Sequence, residues 1–291
     1  MSSREHYRYI LPAVVTLVVI VIFPTVFLYY ISLTNYDLTM GFSQRKFIGL
    51  ANFGWLFTVD KDFWHSVEIT IGFMLVTVTV EFALGLAIAL LFNRKMRWKR
   101  LWMSFLIIPM VTTPAIVSLI WKLMLNTEYG VLNFLLSGIH LPVVNWLGYR
   151  NALWSLMLVE VWEWTPFMAL ILYAGLQSLP LEPFEAASVD GASPYQAFRL
   201  ITFPLLQPIV LIALMLRLID ALKIFDIVYG LTQGGPGNAT ELLGLHIFRL
   251  GFRHTNWIGR ASATAVILTL LATPLIMMLA RRLRRDFAGE G

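Results

Sequence analysis

Six runs of apolar residues, approximately 10 to 33, 67 to 92, 101 to 124, 152 to 176, 205 to 231 and 259 to 280, govern what this chain can fold into. About 20 apolar residues rising about 1.5 Å each cross a hydrocarbon core of roughly 30 Å, and every run reaches that length. A helix satisfies its own backbone hydrogen bonds in lipid, and the runs are too long and continuous for barrel strands of about ten alternating residues. The expected fold class is an all-α integral membrane protein with six transmembrane helices. Composition agrees, with 58% hydrophobic residues, 13% charged residues and a mean hydropathy of +0.73, outside the range of a soluble domain. The first run follows only Arg4 and Arg8, exceeds a signal-peptide core and lacks a small-residue cleavage site, so it is expected to stay as a membrane helix.

Lysine and arginine near the ends of the runs set the expected orientation. The connection Asn93-Arg-Lys-Met-Arg-Trp-Lys-Arg100 holds five basic residues and no acid, and Arg281, Arg282, Arg284 and Arg285 follow the last run. Both face the cytoplasm in this reading, as do the N- and C-termini of a chain with six spans. Residues 34 to 66, 125 to 151 and 232 to 258 then lie outside, diluted by acids and carrying Trp55, Trp64 and Trp146 as interfacial aromatics. The domain division is residues 1–66 for the first helix and outer loop, 67–281 for a core of five helices, and 282–291 for a tail.

Several functions are excluded. The chain has no cysteine, so it offers neither disulfides nor thiolate metal sites. Its net charge of +5 is spread in short clusters beside apolar runs, unlike a nucleic-acid face. No Gly-x4-Gly-Lys-Ser/Thr loop exists, so ATP chemistry belongs elsewhere. No metal-ligand spacing or nucleophile triad stands out, and His65, His140, His246 and His254 read as interfacial or solvated.

The longest cytoplasmic connection, 178–204, is polar but ordered by local signals. Pro183 suits a first helical turn, Phe184 to Asp190 propagate it, and Gly191 supplies positive φ just past its end. Ser193-Pro194-Tyr195-Gln196 then reads as an N-cap, a proline at the first helical position and a capping-box partner, with the second helix running toward Pro204 and Pro208, which mark the entry into the fifth run. Ala186 and Ala187 make a flat surface, and Glu182, Glu185 and Asp190 outweigh Arg199, which disfavours an anionic leaflet and favours a protein partner.

Glu185-Ala186-Ala187, Asp190-Gly191 after two further residues, Ile201 and Pro204 at this spacing resemble the EAA loop of permease subunits of bacterial ATP-binding-cassette importers, with Phe203 where the family usually has Leu. Leu231-Thr-Gln-Gly-Gly-Pro-Gly-Asn-Ala-Thr240, His246 to Phe252, Leu11-Pro12, Phe23-Pro24 and Phe47 to Phe53 resemble carbohydrate-importer permeases, the first of the usual pair. The resemblance covers essentially the whole chain. It implies the type I importer permease (MetI-like) fold and location in the bacterial inner membrane. It also implies that Glu185, Ala186, Ala187, Asp190, Gly191, Ile201 and Pro204 couple to an ATPase. The implied partners are a second homologous permease, two ATP-binding subunits carrying ATP and Mg, an extracytoplasmic solute-binding protein and membrane lipid. No cofactor is expected on this chain itself.

Ionisable residues inside spans are costly and point to function. Glu160 and Glu163 share a face of the fourth run, with Trp164, Thr165 and a potentially kinking Pro166 beside them. Arg217, Asp220, Lys223 and Asp226 follow at steps of three along the fifth, drifting about 60° each time, so that the four are not expected to share one cavity. Depths of ~17 Å for Glu163 and ~18 Å for Arg217 from opposite faces bring these two together near mid-membrane, with Glu160 level with Asp220 or Lys223. Two readings coexist: Arg217 in an ion pair that locks the bundle with Asp220 or Glu163, and a solute pathway of Glu160, Glu163, Trp164, Thr165, Asp220, Lys223 and Asp226. Glu81, alone in the second run, reads as a packing partner, and Ala83, Gly85, Ala87 and Ala89 as a close helix contact. An ion-coupled secondary transporter is the alternative; it would show paired broken helices in two related halves.

Overall fold

The computed structural model describes residues 3–253 and 256–288, with side chains over 10–253 and 256–282; His254 and the side chains of Arg4, Arg8, Arg284 and Arg285 lie outside these. Among the described residues the chain is helical, with one isolated bridge between Thr34 and Phe47. The helices used below are α1 (Ile10–Ser32), α2 (Ala51–Thr58), α3 (Lys61–Asn93), α4 (Lys99–Val111), α5 (Pro114–Met124), α6 (Val131–Gly138) and α7 (Ala152–Gln177). They continue with α8 (Glu182–Val189), α9 (Pro194–Leu222), α10 (Asp226–Leu231), α11 (Leu243–Phe248) and α12 (Ile258–Ala288). Five of them are long and apolar enough to cross a membrane.

The expected third span is not one helix. α4 and α5 meet at 96° across Thr112 and Thr113, and together they make up the sixth candidate span. Thr113 precedes Pro114, whose ring forces the residue before it out of helical geometry, and Thr113 accordingly has ψ 138°. Pro114 then sits in the first turn of α5, where its missing N–H costs nothing.

The fifth span also differs from expectation, at both ends. α9 runs unbroken from Pro194, so the second turn of the polar loop and the span are one helix of 29 residues. Pro204 does not end it. The turn Phe198–Thr202 widens so that the Phe203 N–H reaches the Phe198 carbonyl, and Pro204 enters without a clash. The same device precedes Pro24, where Val18–Ile22 widens ahead of Phe23. At the far end α9 stops at Leu222, and Asp226 opens a new helix.

Two compact units divide the chain, 1–65 with 243–271 and 66–242 with 272–291. In the first, Asn52 donates to the carbonyls of Ser32 and Thr34 at 2.8 and 2.7 Å, tying α2 to the end of α1. Asp60 caps the start of α3 by accepting from the Asp62 and Phe63 amides, and its other oxygen meets His246 Nε2 at 3.0 Å. Thus His246, expected to be interfacial or solvated, is buried against an acid. Trp55 packs edge-on against Trp257 and under the Arg260 guanidinium.

In the second unit the core is a three-way seam of α3, α7 and α9. Ala89, Met168, Leu172, Leu206, Val210 and Ala213 are buried there. Gly85 faces Met168 so closely that a Cβ would lie 2.7 Å from its side chain, and Gly175 faces Leu206 and Ile209 likewise. Close backbone approach through small residues is the ordinary way lipid-embedded helices associate. α7 passes through the buried Pro166 as one continuous helix.

Candidate functional site: a polar cavity at a helix break

The three-way seam brings four ionisable residues together. Arg217 on α9 gives Nε and Nη2 to Glu81 of α3 at 2.7 and 2.9 Å, Nη2 also to Glu160 of α7 at 2.8 Å, and Nη1 to Asp220 at 3.1 Å. Arg217 and Glu81 are fully buried. A planar guanidinium satisfies several carboxylate oxygens at once, which a lysine ammonium could not do with the same geometry. The ring of Trp164 lies 4.6 Å from the guanidinium carbon and covers its remaining face.

Expectation and structure part at Glu163. Depth along the spans paired it with Arg217, yet Glu160 and Glu81 take the guanidinium together with Asp220, the other expected partner. Glu163 is 1% exposed and neither of its oxygens has a hydrogen-bond partner. Instead it lines a cavity of about 390 Å³ together with Glu160, Trp164, Asp220, Lys223 and Asp226, with Pro114, Ile224, Phe225 and Ile227 on the same walls. Depth fixes height and leaves azimuth open, so the wrong acid of an i, i+3 pair was matched to the arginine.

The helix break explains why the cavity exists. A continuous helix through 226 would carry Lys223 and Asp226 around the cylinder, away from Asp220. Because α9 ends at Leu222, three of the four residues expected to diverge line one wall, and Arg217 stands one contact behind them. The short α10 is clamped on α5: a Cβ at Gly230 would fall 2.0 Å from Ser118 Oγ. The start of α5, the end of α9 and the start of α10 therefore meet around the cavity. Non-helical backbone at membrane depth is tolerated where it lines such a polar space.

Thr165 does not join this site. It lies two residues, about 200°, beyond Glu163 on α7. Its hydroxyl donates to the Val161 carbonyl at 2.6 Å, and it lines an apolar groove with Trp121, Trp162 and Pro166.

The polar loop forms the second part of the site. α8 ends at Asp190, Gly191 takes φ 73°, and the Ala192 amide closes back on the Ala187 carbonyl at 2.9 Å. Ser193 and Gln196 make a reciprocal capping box, Gln196 N–H to Ser193 Oγ at 3.3 Å and Ser193 N–H to Gln196 Oε1 at 2.8 Å. Glu185, Ala186, Asp190 and Gly191 are exposed and Ala187 half-buried; Ile201 is half-buried and Pro204 exposed within α9. Around them Leu181, Val189, Tyr195 and Leu200 leave 67–88% of their surface open, an apolar patch of the kind that marks a protein contact. The Phe203 ring settles 6.2 Å from that of Phe198.

Residues 81–287 match the family described as binding-protein-dependent transport system inner membrane component. The trehalose/maltose transport system permease protein MalF of Thermococcus litoralis is 37% identical over 286 residues, 98% of this chain and 96% of the relative. The sulfoquinovosyl glycerol transport system permease protein SmoG of Agrobacterium fabrum is 36% identical over 264 residues, 90% of this chain and 84% of the relative. A chain from the crystal structure of a bacterial ABC transporter involved in the import of the acidic polysaccharide alginate shares the fold, with a TM-score of 0.83 at 22% identity over 97% of this chain and 95% of that one. This multi-pass chain therefore belongs to the family of binding-protein-dependent transport system inner membrane components.

Proposed function

We propose that this chain is the permease subunit of an ATP-driven importer that carries a sugar or sugar-like solute, such as a disaccharide, monosaccharide, polyol or glycerol derivative, into the cytoplasm by alternating access. The observation that carries the coupling is α9. One helix of 29 residues, about 44 Å long, joins the exposed loop at Gly191 to the cavity at Lys223. A rigid element of that length transmits a push at one end as a rigid-body movement at the other.

In this reading ATP and Mg act on two separate ATP-binding subunits, and this chain contributes no hydrolytic site. Their closure moves α8 and the Gly191 turn, α9 carries the motion inward, and the cavity changes the side it opens to. A second, homologous permease completes the pathway, and an extracytoplasmic binding protein delivers the solute. The basic connection 93–100 and the tail face the cytoplasm. Glu160, Glu163, Trp164, Asp220, Lys223 and Asp226 form this chain's share of the pathway, where carboxylates accept sugar hydroxyl hydrogen bonds and the Trp164 ring offers an apolar face.

The name of the Thermococcus litoralis relative, a trehalose/maltose transport permease, supports the solute class. Broken helices at α4–α5 and α9–α10 occur here too, so that trait does not separate an importer from an ion-coupled transporter; the family does. The test is uptake into proteoliposomes holding the assembled complex. Uptake is expected only with binding protein outside and ATP inside, and uptake driven by an ion gradient without ATP would overturn the proposal.

A further inference from the structure

We infer that the cavity at the α9–α10 break is a charge filter, which admits uncharged polyhydroxy solutes and holds back sugars bearing carboxylate or sulfonate groups. The inference rests on the pathway reading above and adds a solute class to it.

Four carboxylates, Glu160, Glu163, Asp220 and Asp226, face a space of about 390 Å³, and Lys223 is the single cation on its walls. Arg217 lies directly behind, but its guanidinium is consumed by Glu81, Glu160 and Asp220. Lys223 is shared as well, with its ammonium 3.5 Å from Asp220. Counting that second layer, five carboxylates stand against two cations. Three negative charges remain when all are ionised, and one remains even with Glu160 and Glu163 both protonated. With Glu81 ionised in the Arg217 fork, the sign therefore holds in every protonation state of Glu160 and Glu163.

Glu163 indicates what the cavity receives. It belongs to the cavity wall, is 1% exposed, and has two buried oxygens without a hydrogen-bond partner. A buried carboxylate left with four open acceptor sites is costly unless something supplies donors. Hydroxyl groups do so without bringing charge, and an anionic solute would add repulsion in a site of reduced dielectric.

The absence of cysteine from the chain allows a direct test. Ile224, on the cavity wall, is changed to cysteine (I224C) in the assembled, reconstituted complex. Modification of this chain is followed with cationic, neutral and anionic methanethiosulfonates, each normalised to its rate with a free thiol. The filter predicts that the cationic reagent reacts about tenfold or more faster than the anionic one. Adding Glu163→Gln and Asp226→Asn should shrink that ratio severalfold. The transported sugar, with binding protein and ATP, should slow all three reagents. Reaction that is slowed by sugar but shows equal cationic and anionic rates overturns the filter and leaves the pathway standing. Reaction indifferent to sugar, or no reaction with any reagent, overturns the pathway reading and the filter with it.

Discussion

Arg217 and Glu81, 136 positions apart in the chain, form a two-pronged ion pair in the core of the second unit, with Nε–Oε2 at 2.7 Å and Nη2–Oε1 at 2.9 Å. Glu160 adds a third bond at 2.8 Å, so one arginine ties α3, α7 and α9 together at a single point. Removing the arginine strands two buried acids. Arg217→Ala is expected to cost about 3–5 kcal/mol, the range for breaking a buried pair on one side. Arg217→Lys should recover only part, because an ammonium cannot make the fork. Thermal unfolding of the detergent-purified complex, followed by tryptophan fluorescence, checks this; a lysine variant as stable as wild type would contradict it.

Gly230 and Ser118 give a steric prediction. Gly230→Ala places a methyl group on Ser118, and overpacking of this kind costs about 1–3 kcal/mol. Because α10 carries one wall of the cavity, transport should fall along with stability. Ser118→Gly in the same chain removes both clashing atoms and should restore most of each. Failure of the double variant to recover would mean that α10 is not seated against α5 as described.

Asp60 makes a prediction about acid. Burial pushes its pKa up, but the hydrogen bond and charge of His246 and the Asp62 and Phe63 amides outweigh that and hold it below the ordinary 3.8. A depressed carboxylate stabilises the fold above its unfolded value and loses that contribution as pH falls through the folded one. The first unit should thus lose stability below pH 3.8, and Asp60→Asn should be less stable at neutral pH with a shallower acid limb. Equal slopes in acid titrations of the two proteins would show that the Asp60–His246 contact contributes nothing.

Much of this architecture was legible because lipid enforces it. Long apolar runs must be helices, and Gly191, Ser193 and Gln196 announce their turn and cap through backbone chemistry that needs no tertiary context. What escaped was where helices stop for tertiary reasons. Thr113-Pro114 looked like part of one apolar run, although the proline rule contained the break. Nothing local marks Leu222 as an end; the α10 contact with Ser118 requires it. Pro204 looked like the boundary between the loop helix and the span, but a widened turn at Phe198–Thr202 carries one helix through it. Asp220, three residues on, was legible as a partner of Arg217, but Glu81 is distant in sequence and was missed, and pairing by depth cannot choose between Glu160 and Glu163.

The cap of α9 supplies a milder perturbation. Ser193→Ala removes the bond to the Gln196 amide, which costs about 1 kcal/mol in typical helices. The loop end of α9 should fray and solute-stimulated ATP hydrolysis should drop severalfold, while the basal rate is retained. Stimulation equal to wild type would mean that the first turn of α9 carries no load.

Gly191 bears most directly on coupling. Its φ of 73° is closed to proline, which is fixed near −65°, so Gly191→Pro must rebuild the turn between α8 and α9. The residue is exposed and lies far from the Arg217 cluster, so membrane insertion and subunit assembly should survive. The measurement is ATP-driven solute uptake by the reconstituted Gly191→Pro complex, alongside its ATP hydrolysis with and without loaded binding protein. The account predicts an assembled complex whose uptake and stimulated hydrolysis are both lost. Uptake at the wild-type rate through a turn that can no longer form would contradict it.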